Sequence, residues 1–518
     1  DEMKNNYLER NGSNNTACII MEVNTGNILA MASYPDFDLN NRMNPEDLYG
    51  MAMVNEVGNV VPGEYITPEN FNNMDHDLQM QQFNALWRNF CINDTYEPGS
   101  VSKPFTVAAA LDSGKITGNE SFVCNGYLHV GDYDIDCHNE WGDGELTVAQ
   151  GVERSCNVVM MRIAEIVGRS TYIDYQHIFN FGLKTNIDLW GESRTASLVY
   201  NKNTMGPTEL ATNSFGQGFN VTMIQMITGF CSLINGGNYY EPHVVSKIIS
   251  PSGATVQNIE PRLLKQTVSA SVSEKIKEYC NLVVAGEKGT GKTARPAGYM
   301  IGGKTGTAET LPRGNNEYVV SFMGYAPADA PQIAIYVVVD RPNIIIQDDA
   351  KFATGIVRNI LTEVLPYMGI FMTEEVTDKE REELEALQEE IMSPVAPEDA
   401  EGEAEGEEGG TETGENEGET ETGENGSGEN GTGENGTGEG ETGGETGEGG
   451  EGEGGESDTH SEAWKSFPID PETGYAKDPE TGKLVDPETG NVVFGGGSAP
   501  TGLGGGMPGG DTEDNSPF

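Results

Sequence analysis

A break in composition near residue 373 constrains this chain more than any single motif. Residues 1–373 carry 41 acidic and 25 basic side chains, a net charge of −16, with apolar runs throughout. Residues 374–518 carry 42 acids against 5 bases, a net of −37. The first region is long enough for one large core or two small ones. The second cannot bury enough apolar surface to offset its ordering entropy. The chain therefore reads as a globular body followed by an acidic tail. Its overall formal charge of −53 disfavours nucleic acid as a partner, because phosphate binding needs a basic face.

Within the body, apolar runs at Cys18–Val23 and Ile28–Ala32 flank Asn24-Thr25-Gly26-Asn27, which predicts a hairpin. Residues 36–95 show no clear periodicity and read as connection. Helices are expected at 102–111, 158–167, 222–233, 272–284 and 351–367, and strands at 299–303, 318–325 and 333–340. This order argues an α+β fold, with an antiparallel sheet flanked by helices and a helical lobe. Beyond it, 374–391 suits a charged helix, and 401–456 holds 20 Glu and 22 Gly with no Lys or Arg. That composition makes a self-repelling linker. Asp-Pro-Glu-Thr-Gly recurs at 470, 478 and 486, a period that suits either short strands joined by turns or a disordered array. The expected divisions are 1–16 as the remnant of an upstream segment, 17–372 as the body, 373–395 as helix or linker, 396–462 as disordered linker and 463–518 as the repeat tail.

The chain starts at Asp1 and contains no run of about 18 apolar residues, so any membrane anchor is expected upstream of residue 1. Seven scattered cysteines make no disulfide framework, and no CxxC pair suggests zinc. Only Cys124 and Cys137 have local logic, on either side of a Gly131-Asp132 turn. An ideal hairpin sets them roughly 7–8 Å apart on a diagonal, too far for a bridge without a bulge. Buried free thiols are the plainer reading. The six histidines lack metal spacing, and neither a metal nor another cofactor is expected.

Ser100-Val101-Ser102-Lys103 is the one S-x-x-K in the chain. At a helix start it sets a lysine amine and a serine hydroxyl on one face. Serine needs an adjacent base, and a lysine serves only if burial or a neighbouring cation lowers its pKa from about 10.4 toward about 7–8. Lys304 is the candidate neighbour. Alone the motif is weak, expected about once by chance. Ser155-Cys156-Asn157 opens the 158–167 helix, where Ser155 could equally be an ordinary N-cap. Lys304-Thr305-Gly306-Thr307 is the one K-[ST]-G, and could be a mere glycine-rich bend at a strand edge. S-x-x-K, S-x-N and K-T-G in this order are far more specific together.

With these motifs stand Ile28–Asn40, Asn93–Thr106, Ser214–Thr222, Gly298–Glu309 and Ser321–Asp329. Over residues 17–370 the chain resembles the transpeptidase domain of class B penicillin-binding proteins of the cell-division and sporulation types. The resemblance implies a penicillin-binding, serine β-lactamase-like fold and a peptidoglycan D,D-transpeptidase. Ser100 would be the nucleophile and Lys103 its base, with Ser155 relaying a proton and Asn157 holding donor peptide and Lys103. Backbone N–H groups of Ser100 and Thr307 would form the oxyanion hole. Lys304, Thr305, Gly306 and Thr307 would bind the substrate carboxylate end. Implied partners are D-Ala-D-Ala stem peptides, β-lactams and a cell-wall synthesis complex, and the implied place is the outer face of a bacterial membrane. Two departures stand out: Asp143-Gly144 where relatives often have His-Gly, and the Val-Ser interior of the first motif.

Other readings are D,D-carboxypeptidase, serine β-lactamase and non-catalytic sensor. A class A β-lactamase needs an E-x-x-x-N loop after its second motif, and no equivalent is found between Ser155 and Lys304. Gly286–Thr293 fits the Walker A pattern letter for letter. A P-loop needs a strand before it and a helix after, whereas here a helix precedes and Pro296 and Gly298 follow. No nucleotide is expected.

Overall fold

Ser13–Glu22 (β1) and Ile28–Tyr34 (β2) form the expected hairpin, extended at both ends, and β1 then pairs with a strand from the far end of the body. The computed structural model describes residues 12–344, 346–382 and 384, together with 476–477, 484–485 and 492–493. Gly302–Glu309 (β3), Tyr318–Ala326 (β4) and Ile333–Pro342 (β5) complete a five-stranded antiparallel sheet of order β3-β4-β5-β1-β2. The hallmark is burial on both faces. Ile333, Ile335, Val337 and Val339 of β5 face one core, while Ala334, Tyr336 and Val338 face the other. The two-residue side-chain period is thus invisible in a sequence that reads as one apolar run.

Eight helices cover this sheet and build the second lobe: Lys103–Asp112 (α1), Val148–Glu153 (α2), Asn157–Val167 (α3), Arg169–Ile178 (α4), Pro207–Asn213 (α5), Met223–Ile234 (α6), Ala270–Ala285 (α7) and Lys351–Tyr367 (α8). α8 lays Ala353, Ile356, Val357, Leu361 and Leu365 on one face of the sheet. α6, buried along its whole length, joins the other face to the helical lobe. Predicted helices agree with observed ones within one or two residues at each end. The one displaced strand is the first of the last three, expected at 299–303 and found at 302–309. Tyr299 and Ile301 are buried without being strand. The glycines that follow are where β3 lies against β4: a Cβ would sit 2.3 Å from the Tyr325 hydroxyl at Gly302 and 2.4 Å from the Phe322 ring at Gly303. Glycine lowers strand propensity but marks such close approach.

Residues 36–95 are more ordered than their pattern suggests. A small core of Leu48, Ile66, Phe71, Phe83 and Leu86 unites the strands Ala52–Val54 and Val60–Tyr65 with the helices Pro68–Asn73 and His76–Leu86. Polar side chains obscure the helical period, but a Thr67–Asn70 capping box and an Asp75 N-cap mark both starts. The Gly131-Asp132 turn closes the hairpin of Tyr127–Val130 and Tyr133–Asp136. Cys124 lies outside that hairpin, on Ser121–Cys124, which pairs with Gly144–Thr147. Its thiol and that of Cys137 are buried and free. The Walker-like segment follows helix α7 rather than a strand, and it ends in a single 3₁₀ turn, Lys292–Ala294, instead of opening an α-helix.

Among the described residues no helix is long and apolar enough to cross a membrane. The linker expected at 396–462 lies outside the described residues. In the repeat array, Ala476–Lys477 pairs with Leu484–Val485 and that pair with Val492–Val493, all antiparallel. Of the charged helix expected at 374–391, residues 378–382 and 384 are helical and 385–391 lie outside the described residues. The segment leading into it is tied to the body. Backbone N–H groups of Thr373 and Glu374 donate to Gly298 O at 2.9 and 3.1 Å, and Arg295 pairs with Glu374 and Glu380, both at 2.9 Å. Arg295→Ala should therefore speed amide hydrogen exchange at Thr373 and Glu374 about fivefold, the equivalent of about 1 kcal/mol for a partly exposed ion pair, with the midpoint of thermal unfolding almost unmoved. Unchanged exchange at those two amides would show that Arg295 does not hold the segment.

Candidate active site

Ser100 stands on a single 3₁₀ turn, Gly99–Ser102, and Lys103 begins α1 directly after it. This turn is wedged between two backbones. Gly99 has φ +60, and a Cβ there would lie 2.4 Å from Thr307 O of β3. Gly216 has φ +92, and its Cβ would lie 2.0 Å from Gly99 O. Only glycine permits both approaches. Gly99 N–H donates to Gly216 O at 2.9 Å, Tyr96 and Val221 exchange backbone bonds at 3.1 and 3.0 Å, and Thr106 Oγ1 donates to Ser214 O at 2.8 Å. The Ser214–Thr222 segment thus braces the Ser100 turn from behind.

Ser155 is held by a different device. Helix α2 ends at Glu153 with Arg154 as cap. Cys156 N–H then bonds Gly151 O at 2.9 Å, and Ser155 N–H bonds Val152 O at 3.1 Å. These two bonds define a Schellman motif, whose left-handed position usually takes glycine. Here that position is Ser155, with φ +60. The N-cap of α3 is accordingly Cys156, whose Sγ accepts from Val159 N–H at 3.5 Å. The ordinary N-cap reading of Ser155 is therefore replaced: its hydroxyl is released from capping and aimed into the cleft, at the cost of a strained backbone.

Lys103 from α1 and Lys304 from β3 converge on that hydroxyl. Lys103 Nζ donates to Ser155 Oγ at 3.0 Å, to Asn157 Oδ1 at 2.8 Å and to Ser155 O. Lys304 Nζ donates to Ser155 Oγ at 2.9 Å and to Thr305 O at 3.0 Å. Both lysines are 0% exposed. Burial pushes the Lys103 amine down to about 8, against an opposing pull from Cys137 and Cys156. Lys304 is driven well below the ordinary lysine range by burial and then by the charge of Lys103. Such desolvation and like-charge proximity are the two ways to lower a lysine pKa.

The three sequence motifs thus meet in one cleft, with one difference from the expected pairing. Among the described residues the partly exposed Ser100 hydroxyl has no hydrogen-bond partner, and Lys103 points to the second motif instead of to Ser100. Thr310 N–H donates to Glu317 O, so strand alternation turns the Thr307 N–H away from β4 to the open edge. Ser100 N–H lies in an opening turn that leaves it without an intrahelical partner. Thr305 Oγ1 meets Thr290 Oγ1 at 2.8 Å. Thr290 belongs to the Walker-like stretch, which buttresses β3 through this hydroxyl, while its glycines pack on Glu153, on the end of α7 and on Phe322 of β4. Gly306 is pressed on Ser321, where a Cβ would sit 2.3 Å from its hydroxyl. The roles of Thr290 and of Glu97, which accepts from Gly218 N–H at 2.9 Å, had no signal in spacing because their partners are distant in the chain.

Residues 16–362 match the family model described as penicillin binding protein transpeptidase domain. Stage V sporulation protein D of Bacillus subtilis is 34% identical over 359 residues, 68% of this chain and 49% of that protein. A peptidoglycan D,D-transpeptidase FtsI homolog of Mesostigma viride is 30% identical, over 57% of this chain and 52% of that protein. The chain thus spans about half the length of these two curated relatives. The transpeptidase domain of Burkholderia pseudomallei penicillin-binding protein 3 superposes with a TM-score of 0.56 at 21% identity, covering 72% of this chain and 94% of that one, which shows a shared fold.

The left-handed Ser155 separates backbone strain from side-chain function. Ser155→Ala and Ser155→Gly lose the same hydroxyl, but only glycine relaxes the left-handed backbone. The glycine variant should be more stable than the alanine variant by about 1 kcal/mol in urea unfolding. Equal stabilities would mean that the turn carries no strain.

Proposed function

The chain belongs to the penicillin-binding protein transpeptidase family, and from that premise we propose that it is a peptidoglycan D,D-transpeptidase acting through a serine acyl-enzyme. The observation that carries this reading is the buried hydrogen-bonded chain Asn157–Lys103–Ser155–Lys304. In the proposed reaction, the neutral Lys103 amine turns from its Ser155 and Asn157 partners toward Ser100, whose Oγ attacks the penultimate D-Ala carbonyl of a stem peptide and gives its proton to that amine. The oxyanion gathers the N–H groups of Ser100 and Thr307. As the C–N bond breaks, Lys103 returns the proton through Ser155 to the departing D-Ala, leaving an ester on Ser100. An amine of a second stem attacks that ester, forms the cross-link and frees the serine.

Lys304 and Thr305, with Gly306 and Thr307 beside them, hold the substrate carboxylate in this scheme, and Asn157 steadies the donor peptide. A β-lactam enters by the same steps, and its ester on Ser100 deacylates slowly. Residues 17–372 form the catalytic unit of the proposal, on the outer face of a bacterial membrane, serving wall cross-linking in division or sporulation within a cell-wall synthesis complex. The name of the Bacillus relative supports that setting. The acidic tail, with its net −37 over 374–518, serves as a spacer or cation-binding brush in the wall.

A fluorescent penicillin added to the full chain should leave a stable adduct that is absent in Ser100→Ala. Rapid turnover of the adduct would mark a β-lactamase instead, and no adduct on well-folded chain would defeat the acyl-transfer reading. The base-active form of Lys103 is the neutral amine. With its pKa lowered to about 8, the acylation rate should climb about tenfold per pH unit below 8 and level off above it. Lys103→Arg should remove this limb along with at least about a hundredfold in rate. A rate independent of pH between 6 and 8 would exclude Lys103 as the base.

A further inference from the structure

A cluster of side chains that the proposed reaction does not use adjoins the second motif. The Sγ atoms of Cys124, Cys137 and Cys156 and a carboxylate oxygen of Asp143 all lie within 4.8 Å of one another. Cys156 is the middle residue of Ser155-Cys156-Asn157. The three thiols are 1%, 3% and 0% exposed, so solvent does not compete for them. The three thiols and the Asp143 carboxylate arrive from four separate places: the end of the Ser121–Cys124 strand, the residue after the Tyr133–Asp136 strand, the N-cap of α3 and, for Asp143, the residue before the Gly144–Thr147 strand. That separation is why their spacing in the sequence pointed to no metal.

Three features suit this cluster to a cation. The first is the unequal satisfaction of Asp143. Its Oδ1 accepts from Asn139 Nδ2 at 3.1 Å and faces Arg154 at 3.5 Å, whereas its Oδ2 is buried without any partner. A buried carboxylate oxygen left unpaired is costly and calls for a missing partner. The second is distance. Cys137 Sγ and Cys156 Sγ are 3.8 Å apart, which matches the edge of about 3.8 Å between two thiolates on a tetrahedral zinc with Zn–S bonds of about 2.3 Å. The third is the surroundings. Val159 N–H points at Cys156 Sγ at 3.5 Å, and His138 Nδ1 lies 3.7 Å from Cys137 Sγ. Outer contacts of this kind orient metal ligands.

We propose that Cys124, Cys137, Asp143 and Cys156 bind one zinc ion in a closed, structural tetrahedral site. Soft thiolates select zinc over magnesium or calcium, and four protein ligands leave no open position for catalysis. Binding releases three thiol protons to solvent, and the Asp143 carboxylate supplies the fourth ligand. Two positive charges on the metal meet four negative ligands, and Arg154 offsets part of the net −2 that remains. The ion ties the N-cap of α3 to the neighbouring hairpin, and so holds the strained Ser155 and Asn157 against Lys103. This consequence for acylation rests on the proposed acyl transfer, whereas zinc binding itself does not.

The test uses the full chain, reduced, stripped with a chelator and titrated with zinc alone against a chromophoric chelator. One equivalent should bind. Cobalt in its place should give the near-ultraviolet thiolate band and the visible bands of a tetrahedral site. Cys124→Ala and Asp143→Asn should each weaken zinc binding by more than about 100-fold, beyond the range seen for outer-contact losses. Cys231→Ala, a buried thiol on α6 outside the cluster, should bind as the parent does. The proposal is overturned if the reduced, folded chain takes up no stoichiometric zinc, or if uptake survives both ligand substitutions. A Cys137–Cys156 disulfide in a chain that takes no zinc once reduced would overturn it equally. Should the variants fail to fold, the cobalt spectrum of the parent chain decides by itself. Loss of zinc with unchanged penicillin labelling would refute only the positioning role, and loss of labelling with zinc retained would count against the acyl-transfer reading alone.

Discussion

Two lysine amines buried on one serine hydroxyl set the terms for the rest of this protein. Removing a charged ammonium group from water costs several kcal/mol even after relaxation, and here two are fully enclosed within hydrogen-bond reach of Ser155 Oγ. The arrangement persists because each amine has fixed acceptors, from Asn157, Ser155 and Thr305, and because lowered pKa values reduce the charge that must be buried. The same desolvation that costs stability prepares a neutral lysine to accept a proton. Structure and reactivity therefore draw on one physical cause.

Holding three chain segments to that tolerance requires rigid supports. Sheet strand β3 supplies Lys304 from a platform buried on both faces, with α8 on one side and α6 on the other. Glycines at 99 and 216 let the Ser100 turn, β3 and the Ser214–Thr222 segment approach at backbone contact. The Schellman turn that ends α2 places Ser155 in a left-handed conformation that an N-cap of α3 would not produce. These are backbone devices, and none depends on a long side chain finding a single rotamer.

Much of this was legible beforehand. The helices expected at 158–167, 222–233 and 351–367 announce themselves as long, largely apolar stretches interrupted by only a few polar residues, and β4 and β5 do the same as strands bounded by turn residues. Residues 36–95 read as connection because Gln and Asn interrupt the period of the His76–Leu86 helix, although caps at Thr67 and Asp75 mark two helix starts. β3 was displaced because propensity favours Tyr299–Ile301 over a glycine-rich strand, while packing on Tyr325 and Phe322 rewards the absence of side chains.

The sequence by itself determined the order of the reactive motifs, the α+β composition of the body and the compositional boundary with the acidic tail. These are local properties, set by residue type and short-range spacing. Only the tertiary structure decided that Lys103 faces Ser155 and Asn157 instead of Ser100, that a Walker-like stretch buttresses β3 through Thr290, and that Cys124, Cys137, Asp143 and Cys156 share one buried cluster. Each of those facts joins segments that are apart in the chain. Spacing along a sequence carries no distance once a sheet and two cores have folded it back on itself.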